Sequence, residues 1–478
     1  MPDKRKSDIF ETMKKSGKPL VCIQGLGFVG SAMAVAVASA EDDNDEPWFN
    51  VAGIDLPSEN GRSRIDSINN KKFPFETVDN KLMESLSCCR TKGNLIATDD
   101  PDCFSQAKFV IICINQDIDL NHSSPSLDLS GLKKAVNVIG EKIRPETLVI
   151  VETTVPPGAC EKIIAPQLKA AFKQRNLSVT DPLLAHSYER VMPGPNYLDS
   201  IINFWRVYSG YTDKAADECR DFLTKIINTK DYPLTRLSST TASETGKVLE
   251  NSFRATTIAF MEEWGRFAED VGIDLFEVID AIRVRPTHSN IRQPGFGVGG
   301  YCLTKDPLFA KLSAKEIFHL SGHDFPFCTQ AVNINKSMPL VTLDKLLTKF
   351  SRSLHGKKVL LLGVSYNKDV GDTRYSPSEI LYINALKHGA EVTCHDPLVD
   401  FWPEQNMQIE TVLPTADSFD IVVFTVPHKF YMELNVGSWL NKARPFVFDA
   451  NNVLSKQQRD DVINSGCDFQ SIGRGTMT

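Results

Sequence analysis

The chain has little of what marks membrane, secreted or nucleic-acid-binding proteins. No stretch approaches the ~18 consecutive apolar residues of a membrane span, and residues 1–18 are polar and basic with no apolar run after them. It has no long run of lysine or arginine and a formal net charge of −7, so a basic surface for nucleic acid is not expected. We therefore expect a cytoplasmic protein with small-molecule partners, and neither nucleic acid nor a membrane among them.

Paired cysteines are also lacking. The 11 cysteines are scattered, with no CxxC pair and no histidine at zinc-ligand spacing. We expect neither a disulfide framework nor a metal site, and most of the thiols are interpreted as small buried hydrophobic side chains. The length of 478 residues, with 42% hydrophobic and 24% charged residues, predicts two or three globular domains.

Near the start of the chain, the pattern is that of a strand, a glycine turn, an alanine-rich helix and a second strand. The turn fits GxGxxG, in which glycines let the backbone approach a pyrophosphate at the helix N-terminus. Asp55 ends the second strand and is positioned to bind ribose hydroxyls; its charge would repel the phosphate of NADP, so NAD is preferred. The alternative is a tight turn in another α/β domain. The predicted cofactor residues here are Gly25, Gly27, Phe28, Val29, Gly30 and Asp55.

Further strand and helix patterns follow. The predicted strands are Val51–Asp55, Phe109–Ile114, Leu148–Val151, Val207–Ser209, Ile421–Thr425 and Phe446–Phe448, with a helix-period stretch over Ser239–Val284. These patterns predict an α/β fold of two Rossmann-like domains with parallel sheets, joined by a long central helix and a helical dimerisation region. The predicted domains are an NAD-binding domain at 1–225, a central helical domain with the cysteine loop at 226–340, and a second Rossmann-like domain at 341–478.

The segment PGFGVGGYCLTKDP combines four glycines with a thiol, an amine and a carboxylate within five residues: Cys302, Lys305 and Asp306. A cysteine beside a cation can exist partly as thiolate and attack an aldehyde, so that hydride departure leaves a thioester. That chemistry converts an alcohol to an acid in two oxidations. The alternative for an isolated cysteine is an inert buried thiol.

Several chemically unrelated motifs accompany this loop in one collinear order over about residues 19–455. They are GxGxxG, ETTVPPG with Glu152 and Thr154, SYERVMPG with Glu189 and Arg190, Lys247 and Asn251 on one predicted helix, the Cys302 loop, and GVSYNKDVGDTRYSP with Arg374. Together they resemble the UDP-glucose and GDP-mannose dehydrogenase family, whose members oxidise nucleotide sugars by four electrons.

The resemblance implies roles for the chemical groups of the site. Lys247 and Asn251 are four residues apart and share a helix face; the family assigns them to stabilising the alkoxide and oxyanion. Lys247 is also a candidate base for the first step, acting with Asp306 and a water. Glu189 is the predicted base for thioester hydrolysis. Without the resemblance, Lys247 and Asn251 would be interpreted as a solvated lysine and a surface amide.

The resemblance also implies binding residues and an oligomer. Thr154 positions water or Lys247 and contacts the cofactor, as does Lys305, whereas Arg190 and Gly299 bind substrate. The second Rossmann-like domain holds UDP. Arg374 reaches the substrate of a neighbouring subunit, which predicts a homodimer or a higher homo-oligomer; the alternative is a surface arginine in a turn.

The sequence departs from the family pattern at three places. The usual V-P-T-P is replaced by Ile114, Asn115, Gln116 and Asp117, in a loop expected near the nicotinamide. Tyr188 replaces the usual proline before Glu189. Tyr301 stands before Cys302, where serine or histidine is common.

The sequence therefore predicts NAD-dependent oxidation of a UDP-hexose at C6 to a UDP-uronic acid for polysaccharide synthesis, with Cys302 as the nucleophile. The SYERVMPG segment resembles the UDP-N-acetylhexosamine branch, and UDP-glucose is the alternative substrate. Two other classes remain open. One is a β-hydroxyacid dehydrogenase, which oxidises once and needs no cysteine; the other is a nucleotide-sugar sensor without turnover.

Overall fold

The computed structural model describes residues 13, 16–119, 125–178 and 181–475. These residues form two compact units. The first unit consists of Met1–Leu249 with Phe309–Asp324, and the second consists of Glu250–Leu308 with Phe325–Thr478.

Strands and helices alternate along most of the described residues. The strands are β1 (Leu20–Gln24), β2 (Asn50–Ile54), β3 (Leu95–Thr98), β4 (Phe109–Ile112), β5 (Asp117–Asp119), β6 (Ser126–Asp128), β7 (Leu148–Val151), β8 (Leu184–His186), β9 (Val207–Gly210), β10 (Thr235–Arg236), β11 (Lys358–Leu362), β12 (Glu391–His395), β13 (Phe401–Trp402), β14 (Met407–Gln408), β15 (Ile421–Phe424), β16 (Phe446–Asp449) and β17 (Phe469–Ser471). The α-helices are α1 (Phe28–Ala38), α2 (Glu59–Asn69), α3 (Asn80–Lys92), α4 (Ser130–Lys142), α5 (Ala165–Gln174), α6 (Asp199–Ile202), α7 (Asp213–Leu223), α8 (Thr240–Val271), α9 (Leu275–Arg283), α10 (Asp306–Glu316), α11 (Pro326–Lys349), α12 (Pro377–Lys387), α13 (Lys429–Met432), α14 (Val436–Leu440) and α15 (Lys456–Asn464).

The first unit contains a sheet of eight strands among its described residues, in the order β10-β9-β8-β7-β4-β1-β2-β3. Neighbouring strands are parallel, except that β8 and β9 are antiparallel. In the centre, Val21 of β1 lies opposite Val51 of β2 and Phe109 of β4. The order reverses direction around β1, so the loops after β1 and β4 diverge and leave a crevice at the carboxyl edge of the sheet, where ligands of such sheets bind.

Both faces of this sheet are covered. Along β1, Val21 and Ile23 contribute to one hydrophobic core and Cys22 to the other, because side chains of a strand alternate between its two faces. Helix α1 is buried over residues 30–38. Because its alanine and glycine residues are small, the helix can lie close to the sheet, and the start of α1 then lies at the crevice.

The second unit contains a five-stranded sheet of order β12-β11-β15-β16-β17 among the described residues, with all its neighbouring strands parallel. The alternation of side chains recurs in β11, where Val359 and Leu361 face one core and Leu360 and Leu362 the other. The predicted α/β class with two Rossmann-like sheets is therefore confirmed.

Two details of the prediction are wrong. The sheet of the first unit is not purely parallel, because β9 returns antiparallel beside β8. The helical stretch expected over Ser239–Val284 is two helices: α8 ends at Val271, and Gly272 adopts a left-handed conformation with φ +79°. Asp274 then caps α9 by accepting a hydrogen bond from the Phe276 amide at 2.9 Å. A glycine that stops one helix and an aspartate that starts the next explain the break.

Candidate active site

The glycine loop between β1 and α1 is tightly folded. Gly25 has φ +92°, and a Cβ atom on Gly30 would lie 1.8 Å from the Gly25 carbonyl oxygen. Gly27 is the N-cap of α1, and its lack of a side chain leaves the first amides of the helix open to a ligand. The loop therefore has the backbone shape of a pyrophosphate-binding turn. Phe28 and Val29 form the first turn of α1.

Asp55 directly follows β2 and is 8% exposed. Its carboxylate accepts hydrogen bonds from the amides of Leu26 and Leu56, and Arg64 Nη1 lies 3.2 Å from Oδ2. The Leu26 contact ties the acid to the glycine loop. Arg64, whose guanidinium lies 5.8 Å from the centre of the Phe75 ring, was not identified from the sequence. Nine residues separate it from Asp55, and only the turn between β2 and α2 brings the two together.

The segments after β7 and β8 carry a second group of candidates. The Glu189 amide donates to the Glu152 carbonyl at 3.3 Å, and Thr154 is 8% exposed. Lys247 Nζ, on α8, donates to the Glu189 carbonyl at 3.2 Å and lies 3.4 Å from Glu189 Oε1. The structure therefore brings Lys247 to the predicted base Glu189 as a largely buried pair.

One of these residues, Glu152, forms a buried ion pair. Arg206 is 1% exposed and Glu152 fully buried, with Arg206 Nη1 lying 3.3 Å from Glu152 Oε1. Burial raises the pKa of Glu152 to about 7, although the cation of Arg206 acts in the opposite direction. Arg206 is not identifiable from the sequence, because its partner lies 54 residues away.

The cysteine loop in the second unit depends on its glycines. Gly300 has φ +76°, and a Cβ atom on Gly299 would lie 2.6 Å from the Tyr366 Cβ. The loop can therefore lie directly against Tyr366, whose pKa burial raises to about 12, with the charges of Asp372 and Cys302 acting in the same direction. Tyr366 is a further neighbour of Cys302 that the sequence did not reveal.

Cys302 is exposed, whereas Lys305 and Asp306 are buried. Its carbonyl accepts the amides of Lys305 and Asp306 at 3.3 and 2.9 Å, forming a turn before α10. Asp306 is fully buried; its carboxylate accepts from Lys305 Nζ and from Asn251 Nδ2, each at 2.7 Å. A charged carboxylate thus fixes the orientation of the amine and of the amide.

Arg374 is joined to the cysteine loop and to an acid. The Arg374 carbonyl accepts the Gly300 amide at 3.0 Å. Its guanidinium forms a forked pair with Asp372, with Nε 3.0 Å from Oδ1 and Nη2 2.6 Å from Oδ2. The structure therefore places Arg374 beside the Cys302 loop of its own chain and holds its planar cation in one orientation.

The second sheet, like the first, has an aspartate directly after its second strand along the chain. Asp396 follows β12, and its Oδ2 accepts the Val364 and Ser365 amides at 2.8 and 3.1 Å. His428 Nε2 lies 3.2 Å from the same oxygen. Asp396 holds the loop after β11 as Asp55 holds the glycine loop, which gives the second sheet a comparably shaped carboxyl edge.

Across residues 16–119, 125–178 and 181–475, no cluster of three or more His, Cys, Asp or Glu side chains is arranged to bind a metal. No helix within these ranges combines the length and apolarity needed to cross a bilayer.

Family models match most of the chain. Those of the UDP-glucose/GDP-mannose dehydrogenase family match as NAD binding domain over residues 19–227, as central domain over 241–337 and as UDP binding domain over 360–456.

Individual proteins are similar over nearly the full length. A UDP-N-acetyl-D-mannosamine dehydrogenase of Methanocaldococcus jannaschii is 28% identical, over 91% of this chain and 93% of that protein. Among solved structures, a UDP-D-ManNAc dehydrogenase from Pyrococcus horikoshii has a TM-score of 0.79 at 26% identity, covering 96% of this chain and 100% of that one. An NDP-N-acetyl-D-galactosaminuronic acid dehydrogenase from Methanosarcina mazei has a TM-score of 0.77 at 26% identity, covering 98% of both chains.

Proposed function

The chain belongs to the UDP-glucose/GDP-mannose dehydrogenase family and is an NAD-dependent nucleotide-sugar dehydrogenase, and from this premise we propose that its substrate is a UDP-N-acetylhexosamine. The C6 hydroxyl is oxidised to a carboxylate by two NAD⁺, giving a UDP-uronic acid for polysaccharide synthesis. The names of the relatives from Methanocaldococcus jannaschii and Pyrococcus horikoshii support an N-acetylated hexose. UDP-glucose is the second candidate substrate.

The first unit is suited to NAD. The glycine turn at Gly25 and Gly30 accepts no side chain, Gly27 leaves the first amides of α1 open, and Asp55 stands at the end of β2. Gly25, Gly27, Phe28, Val29, Gly30 and Asp55 would hold the cofactor, with Thr154 and Lys305 as further contacts. When bound, NAD⁺ supplies the hydride acceptor for each oxidation. Residues 1–225 form the NAD-binding domain in this proposal, 226–340 the central domain and 341–478 the UDP-sugar domain.

Cys302 is the proposed nucleophile, and its exposure at the tip of a glycine loop is the observation that carries the mechanism. Its thiolate adds to the aldehyde carbon formed in the first oxidation, and the second hydride leaves from the resulting thiohemiacetal to give a thioester. Water then adds to the thioester carbonyl, and the carbon–sulfur bond breaks to release the carboxylate and restore the thiol. Because this thiol must stay reduced, we place the enzyme in the cytoplasm.

The buried polar groups stabilise the negative charge that develops on the substrate and transfer protons. Lys247 and Asn251 donate to the alkoxide and oxyanion, and Asp306 holds the Asn251 amide and the Lys305 amine in place. Glu189, whose carboxylate contacts Lys247, takes a proton from the hydrolytic water. Lys247, acting with Asp306 and a water, is the proposed base for the first oxidation. Thr154 orients water or Lys247.

Substrate binding and assembly complete the proposal. Arg190 and Gly299 contact the nucleotide sugar. Arg374 lies beside the Cys302 loop of its own chain, and we propose that its guanidinium reaches the anionic part of the substrate bound by the neighbouring subunit of a homodimer. Apolar side chains recur along one face of α8 at spacings typical of a helix stripe, and each is between 47% and 57% exposed: Phe253, Phe260, Trp264, Phe267 and Val271. We propose that this stripe, called the α8 stripe, packs against its copy in the dimer.

The decisive experiment measures NADH formed per UDP-sugar consumed. The proposal expects two NADH per sugar, with kcat/KM at least about tenfold higher for an N-acetylated hexose than for UDP-glucose. One NADH per sugar would favour the single-oxidation class instead. Tight UDP-sugar binding without NADH would favour a sensor.

The nucleophile is tested with Cys302→Ala and Cys302→Ser. Removing the covalent route should lower turnover on the order of 10³-fold or more, equivalent to about 4 kcal/mol. Cys302→Ser should accumulate a covalent sugar adduct visible in intact-protein mass spectrometry, because an oxygen ester hydrolyses slowly there. Cys88→Ala removes another exposed thiol and should leave turnover unchanged. Near wild-type turnover in folded Cys302→Ala would overturn the assignment.

A further inference from the structure

Tyr188, one of the departures from the family pattern, lies beside two cations assigned to the site. Its ring is only 2% exposed. The Arg190 guanidinium carbon lies 4.9 Å from the ring centre, and Lys247 Nζ lies 5.6 Å from it. Both distances fall within the ~6 Å over which the negative face of an aromatic ring attracts a cation. The proline usual at this position has no such face.

The main chain around Tyr188 is held on both sides. Arg206 Nη1 donates to the Tyr188 carbonyl at 3.2 Å, and the Glu189 amide donates to the Glu152 carbonyl at 3.3 Å. A Cβ atom on Gly246 would lie 3.6 Å from the Tyr188 hydroxyl oxygen, so the ring lies against α8 one residue before Lys247. With its backbone fixed and its side chain buried, Tyr188 keeps its ring beside both cations.

The charges explain why such a ring is useful. Arg190 and Lys247 carry like charges, and Lys247 Nζ donates a hydrogen bond to Glu189 Oε1 at 3.4 Å. A π face attracts both cations without accepting a proton. Water, which would otherwise solvate the cations, is excluded by the buried ring.

A second tyrosine shows the same arrangement in the other unit. Tyr301, the departure next to Cys302, has Lys305 Nζ 4.3 Å from its ring centre. In both places, a tyrosine that departs from the usual family residue lies beside a lysine assigned to the site.

We propose that Tyr188 is a positioning residue whose aromatic face holds Lys247 and Arg190 for the oxidation of the sugar. This inference rests on the roles proposed for those two cations. Tyr188 acts through them and takes no part in bond making or breaking.

The test replaces Tyr188 with phenylalanine and then with phenylalanines carrying one, two and three ring fluorines. Fluorine withdraws electron density from the ring face with little change in ring size, so a merely structural role would not respond. Tyr188→Phe should stay within about threefold of wild type. Across the fluorinated series, kcat/KM for the UDP-sugar should fall stepwise to about 10- to 30-fold below Tyr188→Phe, as expected for a desolvated cation–π contact. The KM for NAD should not change.

A second measurement needs no turnover. Acetic anhydride acetylates neutral amines, and mass spectrometry gives the rate at Lys247 in the substrate-free protein. As fluorination weakens the attraction of the ring for the ammonium, acetylation of Lys247 should rise severalfold. Lys305, whose ammonium lies 4.3 Å from the centre of the Tyr301 ring, is the control and should keep its rate.

The outcomes separate this proposal from the proposed function. If the wild type is active but neither kcat/KM nor the acetylation rate of Lys247 changes across the fluorinated series, only the role of Tyr188 is overturned. A wild type without NADH formation on any UDP-sugar would overturn the proposed function, whereas a graded acetylation of Lys247 would still support the contact. If both kcat/KM and the acetylation rate of Lys247 change stepwise across the fluorinated series, the result supports both the role of Tyr188 and the proposed function.

Discussion

Replacing Arg206 by methionine should destabilise the first unit more than any surface substitution. The change removes a guanidinium that is 1% exposed and lies 3.3 Å from the fully buried Glu152 carboxyl. It also removes the donor to the Tyr188 carbonyl. Breaking a buried pair by removing one partner typically costs about 3–5 kcal/mol.

The pKa of Glu152 sets the size of this effect. Burial raises that pKa to about 7 even with Arg206 present, so without Arg206 the carboxyl can accept a proton near neutral pH and escape the full cost of a buried charge. We therefore expect a loss of about 3 kcal/mol, near the lower limit. For a unit of this size, that corresponds to a melting temperature lower by roughly 6–12 °C.

The pH dependence provides an independent check. Because the folded pKa of Glu152, about 7, lies above the ordinary glutamate pKa of 4.5, this group stabilises the fold fully below pH 4.5, and the contribution is lost as the pH rises to 7. The change amounts to roughly 3 kcal/mol. Glu152→Gln should flatten this part of the stability profile, and the deficit of Arg206→Met should shrink towards pH 5.

Differential scanning calorimetry of Arg206→Met, Glu152→Gln, their double variant and Arg220→Met tests these expectations. Arg206→Met/Glu152→Gln leaves no buried charge and should recover part of the loss. Arg220→Met removes an arginine whose side chain is 46% exposed in a surface pair and should change the melting temperature by less than about 2 °C. A melting temperature of Arg206→Met equal to that of the wild type, or a double variant no more stable than the single one, would refute the argument.

Four further changes address the cofactor, the substrate and the dimer. Gly30→Ala should lower the melting temperature of the free protein by several degrees, because its Cβ would meet the Gly25 carbonyl at 1.8 Å; an unchanged melting curve would contradict this. Asp55→Asn should reduce the preference for NAD over NADP, measured as the ratio of kcat/KM values, from at least about tenfold towards unity, since Arg64 then faces the phosphate alone. A wild type that already has equal kcat/KM values for NAD and NADP would contradict this prediction. Arg374→Ala should raise the KM for the UDP-sugar at least about tenfold with the KM for NAD unchanged, and a loss of NAD binding would move Arg374 out of the substrate site. Trp264→Glu should weaken self-association at least about 30-fold in analytical ultracentrifugation, because it places a charge in the α8 stripe; an unaltered assembly would exclude that stripe as the interface.

Much of the fold was predictable because its signals are local. The βαβ unit around Gly25, Gly27 and Gly30 follows from apolar runs, glycine spacing and an alanine-rich helix, and the strands at Leu148–Val151 and Ile421–Phe424 follow from short apolar runs. The class of enzyme, the cofactor and the family were inferred from motifs of a few residues each, and the family models confirm them. The long central helix was predicted correctly, but its extension to Val284 was wrong because the apolar period continues across Gly272, where the backbone turns.

The sequence by itself determined which chemical groups the chain carries: a thiol that follows a glycine-rich loop, two acids, two amines and an amide within recognisable motifs. Only the tertiary structure decided how they pair. Lys247 meets Glu189 across 58 residues, Asn251 meets Asp306 across 55, and Arg206 meets Glu152 across 54. No sequence pattern indicates such pairs, because they join residues of distant segments that become neighbours only when the chain folds. The aromatic face of Tyr188 beside two cations arises from the same convergence, since sequence spacing does not specify which ring and which cation become neighbours once the chain has folded.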